Sequence, residues 1–381
     1  MTIKNYILFP FFLLASLAGY TQTIDSAFIK TTANILSANE MFGRGYTNNG
    51  MKQAGNYIAQ AMETLGLKVT KQSYNHPVNT FPEHISLTVN GLNLIPGKDF
   101  LVSAESNSAN VSGTLKTIDS VTFGDESTHV SFEKVGKLTW RVSRIQEKYT
   151  KIQLMNSKIE NPESYTLKVK SKFIRKFTAQ NIIGEVKGTL YPDSTVYFTA
   201  HYDHLGTMGN TVFNGANDNA SGVAIMLGLA KYYVQNPAPY TVVFIAFGSE
   251  EAGLIGSKYY VDNASNKTLS HIKMLINLDL MGNGSEGITV VNATEFPKQF
   301  QLLQQLNENQ KYLPAINSRG TAANSDHYYF TLKGVPSFFI YTLGPRLAYH
   351  DIEDIAETMP WHKINQVPQL LIQFVNALPS L

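Results

Sequence analysis

The chain has 381 residues, 43% of them hydrophobic, enough to bury a large core and to divide into more than one unit. Its formal charge of +2 is close to balance and no basic, aromatic-interleaved stripe runs through it, which excludes nucleic acid as a partner. It has no cysteine, so disulfides, thiolate metal ligands and a bacterial lipoprotein anchor are also excluded.

Residues 1–21 have the layout of a secretory signal peptide: Lys4, an apolar run from Tyr6 to Leu14, then Ala15, Ser16, Ala18 and Gly19. The run is too short for an ordinary membrane span. The expectation is cleavage between Ala18 and Gln22 and a secreted or periplasmic product without a membrane span; an uncleaved anchor is the competing reading. Residues 22–82 carry apolar residues at helical spacing from Ser26 to Leu67, including a helix from Gln53 to Leu65. Between 83 and 176 the pattern becomes short alternating strands, Ser86–Val89, Val111–Leu115, Lys151–Leu154 and Thr166–Val169, separated by turns such as Asn90-Gly91 and Pro96-Gly97. This predicts an inserted β-rich module, for which a substrate-lid role and a purely structural one are equally open.

Residues 177–381 alternate strands and helices. Apolar strands are predicted over Val196–Ala200, Val242–Phe247, Met274–Leu278, Gly287–Val291 and Val335–Tyr341, with helices over Val223–Val234, Phe296–Asn309 and Gln366–Ala377. The pattern predicts an α/β fold: a mixed, mostly parallel central sheet with helices on both faces.

Three of these strands are followed directly by metal-binding side chains: His201, the pair Glu250-Glu251, and Asp279. Functional groups of open α/β sheets gather outside the carboxyl ends of the strands, so these residues converge on one site. Asp218, in the small-residue turn Gly215–Gly222, and His350 complete the set. Imidazole and carboxylate without thiolate favour zinc, with manganese or cobalt as substitutes. Five protein ligands exceed one open tetrahedral site, but two ions roughly 3.5–4 Å apart can share them if one carboxylate bridges. Asp218 is the best bridge, since glycine-rich backbone lets a carboxylate approach closely. Of the acidic pair, Glu251 would bind metal and Glu250 would move the proton between attacking water and leaving amine.

The segments Ala200–His204, Asn214–Gly222, Phe247–Ser257, Asn277–Gly282, Ser325-Asp326-His327 and Tyr349-His350 stand in the order seen in the di-zinc aminopeptidases. The chain therefore resembles that family, which includes aminopeptidase Y, the secreted bacterial leucyl aminopeptidases and glutamate carboxypeptidase II. Ala179–Gly188 and Phe42-Gly43-Arg44-Gly45 fit it too. The resemblance implies a zinc-exopeptidase, phosphorylase/hydrolase-like fold, with 83–176 similar in position to a protease-associated domain and 177–381 forming the main peptidase segment. It implies His201 and Asp279 on one zinc, Glu251 and His350 on the other, Asp218 across both, and Glu250 as general base. Asp203 matches a carboxylate that orients the histidine ring, and Tyr349 a tyrosine that donates to the tetrahedral oxyanion. After the final histidine the family has Thr-Pro-Ser-Asp, where this chain has Asp351-Ile352-Glu353-Asp354.

Any one of these motifs alone is more often a solvated turn than a site; their joint order is what points to chemistry. His204 is expected as a hydrogen-bonded loop histidine. His327 is expected either to line the substrate pocket or to serve structure, and His76, His84, His129, His271 and His362 to be surface or structural. Peptides with a free N-terminus are the expected substrates. Alternatives are a single-zinc glutaminyl cyclase, whose Asp-Ser-Ala-Val-Pro differs from Asp218-Asn219-Ala220-Ser221-Gly222, a carboxypeptidase for acidic residues, and a non-catalytic binding protein. Oligomeric state is not legible.

Overall fold

The computed structural model describes residues 24–345 and 348–379, so the expected leader over 1–21 lies outside the described residues. At the centre is an eight-stranded sheet. In spatial order its strands are Lys68–Thr80, Lys172–Val186, Tyr240–Phe247, Tyr191–His201, Ile272–Leu278, Ser337–Leu343, Gly287–Val291 and Ile316–Ser318. The four strands from Tyr240–Phe247 to Ser337–Leu343 are parallel, and an antiparallel pairing flanks them on each side.

Alternation along the strands builds two cores, because successive side chains of a strand point to opposite faces. Val196, Phe198 and Ala200, with Val242, Phe244 and Ala246, face one core. There they meet the helices Ser26–Leu36, Gly50–Thr64, Ser221–Gln235 and Gln366–Ala377. Tyr197, Val243, Ile245 and Phe247 face the other core, against Val261 of helix Ile255–Asn263 and Phe330 of helix His327–Leu332. The terminal helix buries Val367, Leu370, Leu371, Phe374 and Val375 on one stripe, and each such side chain contributes about 1.5–3 kcal/mol.

The edge strand Lys68–Thr80 has no apolar alternation and contains Pro77, so its sequence does not announce a strand. It pairs along its length with Lys172–Val186, and its register shifts between His76 and Val78, where proline cannot donate to the ladder.

Between these two strands lie two further sheets. One has four strands, Leu92–Leu94, Ser86–Val89, Ser164–Val169 and Ala109–Thr114. The other has five, Phe100–Val102, Thr150–Met155, Val130–Val135, Thr122–Asp125 and Lys116-Thr117. They share a hydrophobic core that also takes in Leu205, Met208 and Phe213 from the segment between His201 and Asp218. No helix among the described residues is long and apolar enough to cross a membrane.

Candidate metal centre

Parallel pairing brings the carboxyl ends of Tyr191–His201, Tyr240–Phe247 and Ile272–Leu278 to one edge, and with them His201, Glu250, Glu251 and Asp279. His201 Nε2 lies 3.3 Å from Asp218 Oδ1 and 3.4 Å from Asp279 Oδ1. His350 Nε2 lies 3.2 Å from Asp218 Oδ2 and 3.2 Å from Glu251 Oε2. The two oxygens of one carboxylate thus face two different imidazoles, each backed by a second acid.

The Asp218 loop is held from three directions. Gly215 sits at φ +60°, and a Cβ there would stand 2.2 Å from the Asp218 carbonyl oxygen and 2.4 Å from the His204 ring, so only glycine fits. The Asp354 carboxylate accepts from the Asn217 N–H at 2.7 Å and the Asp218 N–H at 3.0 Å. Beneath the loop lies Arg44, fully buried. Its guanidinium donates to the carbonyls of Gly215 at 2.7 Å, Asn214 at 2.7 Å and Asp218 at 3.1 Å, and to those of Tyr202 at 2.8 Å and Leu36 at 3.0 Å. Burial lowers the Arg44 pKa to about 10, still charged at neutral pH, with Asp354, Asp218, Asp203 and Glu251 opposing the shift.

Asp279 is oriented by a buried chain: Thr199 Oγ1 donates to Asn277 Oδ1 at 2.8 Å, Asn277 Nδ2 to Ser325 Oγ at 2.8 Å, and Ser325 Oγ to Asp279 Oδ2 at 3.0 Å. Glu251 Oε1 meets His204 Nδ1 at 2.8 Å. Behind the acidic pair, His76 Nε2 contacts Ser249 Oγ at 2.8 Å, and Ser249 itself holds φ +58°. His76 is accordingly buried, not on the surface.

Asp203 departs from its expected role. His201 Nδ1 lies 3.1 Å from the main-chain carbonyl of Asp203, while the carboxylate stands off at 3.9 Å. The carboxylate instead accepts from the N–H groups of Glu250 at 2.9 Å and Glu251 at 3.3 Å, and from the Tyr46 hydroxyl at 3.2 Å. It clamps the acidic pair, and its carbonyl turns the ring. His327 is fully buried and packs on Phe339 with ring centroids 5.5 Å apart, so it does not line an open pocket; burial pushes its pKa down to about 4. Tyr349 is half exposed and stacks on the His350 ring with centroids 3.9 Å apart. It borders a cleft of 370 Å³ whose walls include Leu280, Tyr341, Leu343, Pro345 and Ala348.

Charge in this cluster is unbalanced toward acid. Burial alone would lower the pKa of His350, but Glu251 and Asp218 outweigh it and raise it to about 11; Asp279 and Glu250 do the same for His201. Burial would raise Asp218 and Glu251, yet the histidines hold Asp218 well below the carboxylate range and Glu251 at about 2. Glu250 goes the other way: burial, with Glu251, Asp326 and Asp279 nearby, lifts it well above the ordinary value against the pull of His201. In a metal-free chain a proton on either imidazole would stand where a cation would bind, and metal binding would release it. The donor set fits zinc. One possible ligand atom from each of His201, Glu250 and Asp279 lies within 4.8 Å of the other two, and the same holds for His204, Asp218 and Glu251. In addition, the buried Oδ1 of Asp279 accepts no hydrogen bond.

Residues 181–375 match peptidase family M28, slightly more than half of the chain. The chain is 31% identical over 233 residues to aminopeptidase YwaD of Bacillus subtilis, covering 58% of this chain and 50% of that protein. It is 27% identical over 201 residues to the vacuolar membrane protease of Kluyveromyces lactis, covering 51% of this chain and 21% of that one. The chain thus spans half the length of the first relative and about a fifth of the second. Its fold superposes on BSAP, a zinc aminopeptidase from Bacillus subtilis, with a TM-score of 0.71 over 92% of this chain and 94% of that one, at 22% identity. With a sheet that delivers imidazole and carboxylate to one edge and a family match over the segment that carries them, this chain belongs to peptidase family M28, the metallopeptidase hydrolases.

Proposed function

We propose that this protein is an aminopeptidase that holds two zinc ions and removes the N-terminal residue from peptides. The observation that carries the reading is Asp218, whose two oxygens stand 3.3 and 3.2 Å from His201 and His350 respectively. Asp218 would bridge the ions, with His201 and Asp279 on one and Glu251 and His350 on the other. Bound there, zinc supplies Lewis-acid polarisation of the scissile carbonyl and acidifies water.

The chain's own groups do the rest. Glu250 takes a proton from the attacking water at its carboxylate and returns it to the leaving nitrogen. Asp203 holds Glu250 and Glu251 by their main-chain N–H groups, so that their side chains project into the site. Tyr349, at the rim, offers its hydroxyl to the oxyanion. The acidic surroundings favour capture of a free α-amine, and the cleft beside Leu280 and Tyr349 suits an uncharged, apolar side chain. The leader-like composition of residues 1–21 supports export to the periplasm or beyond.

The test is zinc content together with release of free amino acid from unblocked and N-acetylated aminoacyl anilides. Two zinc per chain and cleavage of the unblocked apolar set alone is the expected result. One zinc, no amino acid release and cyclisation of glutaminyl peptides would overturn it in favour of a cyclase; binding without turnover would leave a receptor.

A further inference from the structure

The connection between the neighbouring parallel strands Val130–Val135 and Thr150–Met155 is where the β-rich layer meets the metal centre. Adjacent parallel strands need a crossover of about a dozen or more residues, commonly a helix. Here residues 136–149 contain no helix or strand and run as an irregular strap onto the loop that carries His350. The strap is anchored by Trp140, whose buried indole stacks on Phe213 with centroids 4.6 Å apart and donates from Nε1 to the Val102 carbonyl at 2.8 Å.

So anchored, the main chain of Trp140 makes a reciprocal pair with His350. Its N–H donates to the His350 carbonyl at 2.9 Å, and its carbonyl accepts from the imidazole Nδ1 at 3.1 Å. A carbonyl only accepts, so in the neutral ring this contact puts the proton on Nδ1 and leaves the Nε2 lone pair facing Asp218 and Glu251. His350 also holds φ +55°, a backbone conformation that a residue with a Cβ keeps only when its surroundings impose it. Lys137 secures the flanks, donating to the Tyr349 carbonyl at 3.2 Å and pairing with Asp351 at 3.3 Å.

We propose that Trp140 is the positioning residue of His350, so that the β-rich layer completes the metal centre by orienting one of its ligands. This rests on the reading of His350 as a zinc ligand. An imidazole ligand whose other nitrogen donates to a carbonyl is held in one tautomer and one orientation, and losing such a partner weakens metal binding about 10–100-fold.

The full chain, stripped of metal by chelation, is titrated with zinc as wild type, Trp140→Ala, Trp140→Phe, Lys137→Met and His350→Ala. Thermal unfolding checks each fold, and imidazole resonances are read from protein carrying nitrogen-labelled histidine. Trp140→Ala is expected to keep one ion at wild-type affinity and bind the second about 10–100-fold more weakly. The Nδ1–H resonance of His350 should shift while that of His201 stays. Trp140→Phe, which keeps the stacking on Phe213, should restore the second site, and Lys137→Met should weaken it by a smaller factor. If Trp140→Ala binds both ions as wild type while His350→Ala loses one, the positioning role is wrong and the ligand reading stands. If His350→Ala also binds both as wild type, the ligand reading falls and the proposal with it. Should Trp140→Ala not fold, Lys137→Met decides, and an unchanged second affinity with an unmoved Nδ1–H resonance overturns the proposal.

Discussion

Replacing Arg44 by lysine keeps the positive charge beneath the acidic cluster and changes only the geometry of its donors. The guanidinium meets five main-chain carbonyls, from Leu36, Tyr202, Asn214, Gly215 and Asp218, at 2.7–3.1 Å. A lysine ammonium has three donors radiating from one point, so at least two carbonyls lose their bond to residue 44. Each buried polar group left unsatisfied costs about 1–3 kcal/mol, which sets the loss at roughly 2–6 kcal/mol. Against a typical stability of about 5–15 kcal/mol, that is a large share. Urea unfolding of the metal-free chain measures it as a drop in midpoint at unchanged slope. Loss of the bond to the Asp218 carbonyl should loosen the loop that carries this carboxylate, so zinc binding should weaken as well. An Arg44→Lys protein within about 0.5 kcal/mol of wild type, the scatter of ordinary surface changes, would refute the reasoning.

Glu250→Gln should retain the wild-type zinc content while kcat falls about 100-fold or more, read from metal content beside steady-state anilide hydrolysis. Gly215→Ala should lose zinc and unfold at lower urea, because its Cβ would meet the Asp218 carbonyl oxygen at 2.2 Å and its φ of +60° is unfavourable for alanine. In the metal-free chain, burial raises Asp203 and Asp354 to about 6 and Asp326 to about 7, each from an ordinary 3.8. These acids bind protons more tightly folded than unfolded, so their contribution is full below pH 3.8 and is lost as pH rises through 6 and 7. His350 has the same sign at higher pH, its contribution being lost as pH rises from its ordinary 6.5 through about 11. The Tm of chelated protein should therefore fall between pH 5 and pH 8, and zinc should reverse the trend by displacing protons; a metal-free Tm that rises over that interval would contradict the assigned burial.

Three of the four parallel strands and the side chains that follow them were legible because their apolar runs lead into an imidazole or carboxylate, as in Val196–His201 and Met274–Asp279. The convergence of those groups then follows from parallel pairing alone. What supports them was much less so. Trp140 and His350 touch across 210 positions through a main-chain carbonyl, and a main-chain carbonyl leaves no signature in sequence. Nothing in Phe42-Gly43-Arg44-Gly45 says that four of the five partners of Arg44 are carbonyls more than 150 positions away. The family resemblance implies Asp203 as the orienting carboxylate, yet the chain turns after the strand so that its carbonyl faces the ring. Strands such as Phe100–Val102, buried at every position, and Lys68–Thr80, polar along most of its length, lack the alternation by which a strand is recognised.

Leu205, Met208 and Phe213 lie between two proposed metal ligands in sequence, but their side chains are buried in the core of the β-rich layer. An expression fragment trimmed to residues 181–375, the span that carries the family match, would turn these three apolar side chains out into water together. It would also leave the carbonyls under Asp218 without Arg44, and would strip the neighbouring edge strand Lys68–Thr80 from what remains of Lys172–Val186. Exposed apolar patches and bare strand edges are routes to aggregation. Recombinant work on this protein therefore needs the chain from the first helix onward, and a truncation series should show solubility collapsing once the β-rich layer is cut away.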